Sequence, residues 1–159
     1  MAAKNAPLAV NLAQCSVLNA TKPANLDSVL GPGGELVSDA DEQLLIGVAL
    51  AQASKVHSLI ITAPVALAPS EVALFVNAPS LGFEDAEDRP ATQRIALNAA
   101  HAAGEPIPLK FVSFQNVSHL TLFLPNNLGS SEETAVQKVE IIGQPLSTTN
   151  MSELKKCGG

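Results

Sequence analysis

Short apolar runs separated by turn residues recur along the chain. Each run holds five to nine residues rich in Val, Ile, Leu and Phe, with Pro, Gly or polar residues between runs. Segments of this length favour β-strands, because helices need longer periodic stretches. Without intervening amphipathic helices, such runs predict an all-β antiparallel sandwich or barrel. The runs are 44–50, 56–63, 71–77, 93–97, 107–114, 119–124 and 135–143.

One segment departs from this pattern. Residues 97–106 are rich in Ala and end in Gly104 and Pro106, which are typical of a helix terminus. The segment therefore predicts a short helical connection between two strands.

The stretch 110–127 places polar residues between two apolar runs. Read at period two, Val112 and Phe114 share one face of the first run, and alternate leucines line the second. The few residues between the runs are enough to join antiparallel neighbours, which predicts a β-hairpin. Gln115 and Asn116 are then expected to satisfy backbone groups across the turn, a structural role that we favour over partner contact.

Composition narrows the functions that such a domain can have. The 159 residues suit one domain, and the net charge of −6 with nine Lys and Arg leaves no basic stripe for nucleic acid or anionic lipid. No apolar run approaches the roughly 20 residues that span a bilayer. Trp and Tyr are absent, so aromatic platforms for sugar rings are scarce. We expect no nucleic-acid or membrane partner and a cytoplasmic or nuclear location.

Catalytic chemistry is not indicated. His57 and Ser58 are neighbours in a predicted strand, so we expect their side chains on opposite faces, which would prevent a nucleophile–base bond. His101 and His119 have no nucleophile motif nearby. We expect no enzyme activity, no cofactor and no metal.

The two cysteines, Cys15 and Cys157, lie near opposite ends of the chain. They form neither a Cys-x-x-Cys pair nor a zinc-ligand spacing with histidine. They could meet only if the termini meet, so each is treated as a possible free thiol.

Two acidic segments precede or follow apolar runs. The first carries Asp39, Asp41 and Glu42; as a calcium loop it fails, because Leu residues occupy the positions that need Gly and Glu. The second carries four carboxylates within residues 82–90. For each segment we favour a solvated loop; the alternatives are a docking site for a basic partner and, for the second segment, a site that holds a cation. Loops at strand edges commonly carry binding residues, so the two segments are the best candidates for partner contact. The four carboxylates belong to Glu84, Asp85, Glu87 and Asp88.

Six motifs in order along the chain resemble the PITH domain, which is found in thioredoxin-like proteins and in stand-alone PITH proteins. The resemblance runs from about residue 12 to residue 156. It is carried by "CSVLN" (15–19), "SDADEQLLIGVAL" (38–50), "VHSLIITAP" (56–64), "LFVNAPSLGFEDAEDRPATQ" (74–93), "KFVSFQNVSHLTLFLPNNLGSSEET" (110–134) and "IIGQPLSTTNMSELKK" (141–156).

The resemblance implies a jelly-roll β-sandwich of the galactose-binding-like type. It also implies a non-catalytic adaptor that docks on the regulatory particle of the 26S proteasome. The Cys-Gly-Pro-Cys motif of the thioredoxin domain is absent from this sequence, so disulfide reductase activity is not transferred. Alternatives are a ligand- or carbohydrate-binding sandwich and a thiol-dependent redox accessory protein.

The resemblance also sets expectations for organisation. We expect an N-terminal arm over residues 1–11, the sandwich domain over 12–149 and a polar tail over 150–159. The acidic residues named above are the candidate partner contacts. The positions that match the family signature and are expected to be structural are Gln43, Phe83, Phe114, Gln115, Asn116, Val117, Thr149, Asn150 and Met151.

Overall fold

The computed structural model describes residues 5–146. The strands are β1 Ala6–Pro7, β2 Ser16–Leu18, β3 Leu36–Val37, β4 Leu44–Thr62, β5 Glu71–Val76, β6 Gln93–Ala96, β7 Ile107–Pro108, β8 Val117–Leu124, β9 Ala135–Val136 and β10 Lys138–Pro145. The helices are α1 Leu26–Val29, α2 Phe83–Asp88 and α3 Ala99–Ala102. Single 3-10 turns lie at Leu12–Gln14, Pro23–Asn25, Val65–Leu67 and Phe111–Ser113.

Strand β4 belongs to both layers of the sandwich. Its first half pairs with β2 on one side and β8 on the other, and β8 continues to β5 and β6. Its second half pairs with β10 and β7, and β10 continues to β1. All strand pairs are antiparallel, and β3 and β9 form a separate two-stranded sheet. One curled sheet therefore folds back on itself, which confirms the predicted all-β sandwich.

The hydrophobic core fills the space between the two layers. Alternate residues of each strand point into it, as the pleat requires. The contribution of β4 comes from both halves of the strand, whereas β8 and β5 contribute from the first layer only. The largest fully buried side chains are Phe114, Leu36, Leu44, Ile46, Leu59, Ile61, Leu74, Ile107, Leu120, Leu122, Leu124 and Val29.

The predicted separate strands 44–50 and 56–63 are one strand. Residues 51–53 between them are not a turn, because neighbouring backbone continues the hydrogen bonding there. The amide of Ala51 donates to the carbonyl of Ala9 over 3.0 Å, and the amide of Leu146 donates to the carbonyl of Ala53 over 2.8 Å. The described part of the expected N-terminal arm thus lies along the sheet, and β1 pairs with β10.

The predicted hairpin over 110–127 is wrong. Strands β7 and β8 both pair with β4, at different places along it, and not with each other. Residues 111–113 form a 3-10 turn in which Val112 is 84% exposed. The amide of Leu109 still donates to the carbonyl of His57 in β4 over 3.1 Å, and the apolar run then leaves the sheet in the 3-10 turn. Pro108, which lacks an N–H, is placed on this short edge segment, as proline requires.

Two short helices flank the sheet. The predicted helical connection is confirmed as α3, where Asn98 Oδ1 accepts hydrogen bonds from the amides of Ala100 and His101. The second acidic segment forms helix α2 and not the loop that was one expectation from the sequence. Asp85 accepts a hydrogen bond from the amide of Gly82 over 3.2 Å, which stabilises the first turn of α2.

Gly143 provides a test of the packing between β10 and β4. A Cβ at this position would collide with the carbonyl oxygen of Lys55. Backbone cannot move aside as a flexible side chain can, so Gly143→Ala should lower the free energy of unfolding by about 3 kcal/mol in urea denaturation. Gly82→Ala is the control, because nothing lies within 4 Å of its added Cβ, and it should cost at most about 1 kcal/mol. Equal effects of the two substitutions would contradict this packing.

Candidate functional site

The first acidic segment is held in place by Asn19. This residue has a φ of 67°, a conformation that Asn tolerates better than most residues. Its Nδ2 donates to Asp41 Oδ1 over 2.8 Å and to the carbonyl of Gln43 over 2.7 Å, while its Oδ1 accepts from the amide of Ala40 over 2.9 Å. The loop that carries Asp39, Asp41 and Glu42 is therefore ordered by one side chain from another part of the chain.

A second loop lies beside the first and is ordered by Asn127, which is 6% exposed. Its Nδ2 donates to the carbonyls of Ser131 and Glu133, each over 2.9 Å, and its Oδ1 accepts from the amide of Ser131 over 2.7 Å. A buried amide with three backbone partners fixes the loop conformation. Nothing in the sequence pattern distinguishes Asn127 from an ordinary turn residue, so its role could not be predicted.

Thr134 joins the two loops. Its Oγ1 donates to the carbonyl of Glu42 over 2.5 Å, and its amide donates to Ser38 Oγ over 2.9 Å. Both Thr134 and Ser38 are fully buried. Residues 39–42 and 130–133 consequently form the walls of one open concavity of about 680 Å³. Glu132 and Glu133, which the sequence did not single out, face the same space as the predicted carboxylates.

Helix α2 brings the second acidic segment to the same edge of the sandwich. Gln43 Nε2 donates to Glu87 Oε2 over 3.3 Å, which links the first loop to α2. The helix is attached by Phe83, whose ring meets that of Phe123 edge to face at 6.1 Å, and by the buried Ala86. We call the resulting set of carboxylates the acidic surface. Its members are Asp39, Asp41, Glu42, Glu84, Asp85, Glu87, Asp88, Glu132 and Glu133.

The acidic surface consists of carboxylates on an ordered scaffold, and all are exposed except Glu42 and Asp85, which are half-buried. Among residues 5–146, no group of three or more His, Cys, Asp or Glu side chains is arranged to hold a metal ion. The residues that line the concavity include no Lys, Arg or His. Such a surface attracts cationic groups and accelerates their encounter.

The signature residues around the wrongly predicted hairpin have structural contacts. Phe114 and Val117 are fully buried. Gln115 Nε2 donates to the carbonyl of Phe111 over 2.7 Å, and the carbonyl of Asn116 accepts from Asn77 Nδ2 over 3.1 Å. Thr149, Asn150, Met151 and Cys157 lie outside the described residues.

Asn77 was not predicted, although it organises the start of β8. It has a φ of 56°, and its Oδ1 accepts hydrogen bonds from the amides of Ser118 and His119 over 2.8 and 3.1 Å. Asn77 and Asn19 therefore serve the same purpose at different loops, because each side chain bonds backbone groups distant in sequence.

The prediction that His57 and Ser58 cannot contact each other is wrong. His57 Nδ1 lies 3.2 Å from Ser58 Oγ. In β4, Ser58 pairs with Ile142 and Val56 pairs with Gly143, so His57 is the extra residue of a β-bulge. A bulge redirects side chains that would otherwise alternate. Ser58 is only 4% exposed, so its hydroxyl is not presented to a substrate.

Cys15 is half-buried beside β4. Its Sγ accepts a hydrogen bond from the amide of Ala49 over 3.3 Å and donates to the carbonyl of Asn11 over 3.3 Å. Burial raises the pKa of the Cys15 thiol above its ordinary value of 9.0, which lowers the thiolate population. This environment does not suit a reactive thiol.

His119 lies on β8 and faces away from the core, yet it is only 8% exposed. Its Nδ1 lies 3.5 Å from Thr121 Oγ1. Burial lowers the pKa of His119 below its ordinary value of 6.5, so the neutral imidazole is favoured at neutral pH.

The family model and the curated relatives that match this chain point to the same family. The family model of the PITH domain matches residues 7–158. Thioredoxin-like protein 1 of Schizosaccharomyces pombe is 37% identical over 152 residues, with 90% of this chain and 52% of that protein covered. PITH domain-containing protein 1 of Danio rerio is 33% identical over 108 residues, with 67% and 50% covered. The chain thus spans about half the length of these curated relatives.

Solved structures add a likeness of fold alone. A family 32 carbohydrate-binding module from C. perfringens, solved in complex with galactose, superposes with a TM-score of 0.60. Only 11% of the aligned residues are identical, although 86% of this chain and 99% of that chain are covered. The β-sandwich fold expected from the sequence is confirmed. No helix within residues 5–146 is long and apolar enough to cross a membrane.

The environment of Cys15 predicts that its thiol is alkylated slowly. With its pKa raised, the thiol of Cys15 should react with iodoacetamide at pH 8 more slowly than glutathione does. The measurement uses a Cys157→Ser variant, so that only Cys15 reports, with the urea-unfolded variant as the control that exposes the same thiol. Reaction in the folded chain as fast as in the unfolded chain would contradict the assignment.

The environment of His119 predicts a pH-dependent stability. Since its folded pKa lies below 6.5, the unfolded chain binds a proton at a pH where the folded chain does not. Its contribution to the free energy of unfolding is full above about pH 6.5 and declines as the pH falls from there toward the folded pKa. Urea denaturation at pH 7.5 and 5.5 should show a smaller decline for His119→Gln than for the unsubstituted chain. His57→Gln, the same change at an exposed position, is the control for the substitution itself. An unchanged decline in His119→Gln would refute the assignment.

Proposed function

Because the chain belongs to the PITH domain family, we propose that it is a non-catalytic protein-interaction module that docks through its acidic surface on the regulatory particle of the 26S proteasome. The observation that supports this most strongly is the convergence of three separate chain segments on one edge of the sandwich. Residues 39–42, helix α2 and residues 130–133 meet there.

The fixed conformation of these segments favours partner binding over mere solvation. A solvated acidic loop needs no support, whereas these loops are fixed by the side chains of Asn19, Asn127 and Thr134. Loops that are ordered before binding lose less conformational freedom when a partner arrives. The cost of holding like charges together is then compensated when a cationic surface approaches.

The charge of the chain is consistent with the same role. The net charge is −6, and nine of the fifteen Asp and Glu residues belong to the acidic surface. The partner surface should therefore carry Lys or Arg, and the association rate should fall as salt screens the attraction.

Two alternatives have less support. The likeness to a galactose-bound module concerns the fold, and function does not follow from fold. Of the five Phe residues in the chain, only Phe111 is exposed, at 48%, and it does not line the concavity. A redox role for Cys15 is not favoured by its raised pKa.

Charge reversal tests the docking proposal. Glu84→Lys with Glu132→Lys changes two exposed carboxylates on separate segments of the acidic surface. We expect the affinity for purified 26S proteasome to fall about tenfold or more, because the substitutions remove two modest charge pairs. The measurement is biolayer interferometry at 50 and 200 mM NaCl, and the difference from the unsubstituted chain should shrink at the higher salt.

The matched control is Glu105→Lys with Glu140→Lys, which changes the net charge equally outside the acidic surface. This double variant should bind nearly as well as the unsubstituted chain. If the unsubstituted chain, shown to be folded by circular dichroism, does not bind the proteasome at all, the docking proposal fails. If both double variants lose affinity equally, the acidic surface is not the contact.

A further inference from the structure

A small pocket lies on the outer face of the first layer, away from the core. Its floor is a row across three strands in which Ser16 of β2 pairs with Gly47 of β4, and Gly47 pairs with Thr121 of β8. The adjacent row places Leu18 beside Leu45. Leu81, from the loop between β5 and α2, closes the side, and the volume is about 200 Å³.

Gly47 makes the hollow possible. A glycine in the interior of a strand weakens the strand and often marks a place where another group approaches closely. A Cβ on Gly47 would lie 3.1 Å from Ser16 Oγ, and 3.2 and 3.3 Å from Cε1 and Nε2 of His119. The space above Gly47 is therefore bordered by a hydroxyl and by the edge of a buried imidazole.

Thr121 and Ser16 supply hydroxyl groups to the lining of the pocket. Thr121 Oγ1 donates to the carbonyl of Ala78 over 3.3 Å, which leaves the lone pairs of this oxygen as acceptors. Ser16 Oγ is a second hydroxyl oxygen that accepts hydrogen bonds. The pocket offers acceptors at Thr121 and Ser16 against apolar walls at Leu18, Leu45 and Leu81.

Size and charge narrow the occupant. About 200 Å³ is below the roughly 300–1,000 Å³ of pockets for small-molecule ligands, and it suits one side chain. No charged residue lines the pocket, so a charged group would be desolvated there without a partner. A side-chain carboxamide has an apolar stem for the leucine walls and N–H donors for the two acceptors.

The walls of the pocket are close along the chain to the acidic surface. Leu18 directly precedes Asn19, which holds Asp41, and Leu45 is two residues beyond Gln43, which bonds Glu87. The loop that carries Leu81 leads directly into α2. The pocket is therefore near residues that belong to or order both acidic segments.

We propose that this pocket receives one Asn or Gln side chain from a basic segment of the protein partner, whose flanking Lys or Arg residues contact the acidic surface. This inference rests on the proposed docking function. It adds a specific anchor to a surface that charge alone would leave unselective, as interfaces combine a buried centre with a charged rim.

Two peptides test the anchor directly. The probes are acetyl-Lys-Lys-Ala-Gln-Ala-Lys-Lys-amide and the same peptide with Ala in place of Gln, titrated to millimolar concentration into ¹⁵N-labelled chain. The Gln peptide should bind about fivefold more tightly, which is the worth of about one neutral hydrogen bond, and should shift the amides of Ser16, Gly47 and Thr121. A peptide with Glu at the centre should bind no better than the Ala peptide.

Two variants fill the pocket from different elements. Ser16→Leu places a larger side chain into the pocket from β2, and Ser80→Phe does so from the exposed loop before α2. If one variant does not fold, the other still provides the test. Each should abolish the preference for Gln while keeping the salt-dependent binding that both peptides share. Ser118→Leu, an identical change to that at Ser16 but outside the pocket, should keep the preference.

The outcomes separate this inference from the docking proposal. Equal or undetectable binding of the Gln and Ala peptides overturns the anchor. Full proteasome binding by Ser16→Leu and Ser80→Phe, with loss in Glu84→Lys with Glu132→Lys, also overturns it and leaves docking intact. A Gln preference that maps to the pocket in a chain that does not bind the proteasome supports the anchor and rejects that partner.

Discussion

The curvature of the long strand β4 is the constraint on which the rest of the structure depends. One strand of 19 residues pairs with both layers, so the core forms only if its two halves present apolar residues to each other across the bend. The β-bulge at His57 resets the alternation, since Val56 and Leu59 both face the core. The loop that begins the acidic surface leads directly into the first half of this strand.

Asparagine side chains connect this framework to its loops. Asn19, Asn77 and Asn127 each bond backbone groups in a loop or strand start that is otherwise irregular. Each replaces the backbone ladder that the loop lacks, because buried or constrained polar groups need partners. The loops are therefore ordered although they lack regular secondary structure, and the acidic residues that they carry are held in fixed positions.

The apolar runs were sufficient to predict the fold class, because a strand buried on one or both faces must show that pattern. They failed where an apolar run leaves the sheet: beyond Leu109, which still bonds β4, residues 111–113 form a 3-10 turn. Both acidic segments were recognised from sequence. Their meeting was not predictable, because the bond between Gln43 and Glu87 depends on how the sheet curls. Asn127, Thr134 and Gly47 resemble ordinary turn or strand residues until their distant neighbours are known.

Charge and shape would have different tasks in the proposed docking. Exposed carboxylates act at long range and raise the association rate, but many basic surfaces satisfy them equally well. A neutral pocket acts only on contact, and it discriminates because a charged group would be buried there without a partner, whereas a carboxamide can donate to the hydroxyls of Thr121 and Ser16. Because Leu18 directly precedes Asn19, which orders the first acidic loop, a partner drawn in by charge would be close to the pocket. Placing the pocket near the acidic surface would therefore couple fast encounter to selective retention.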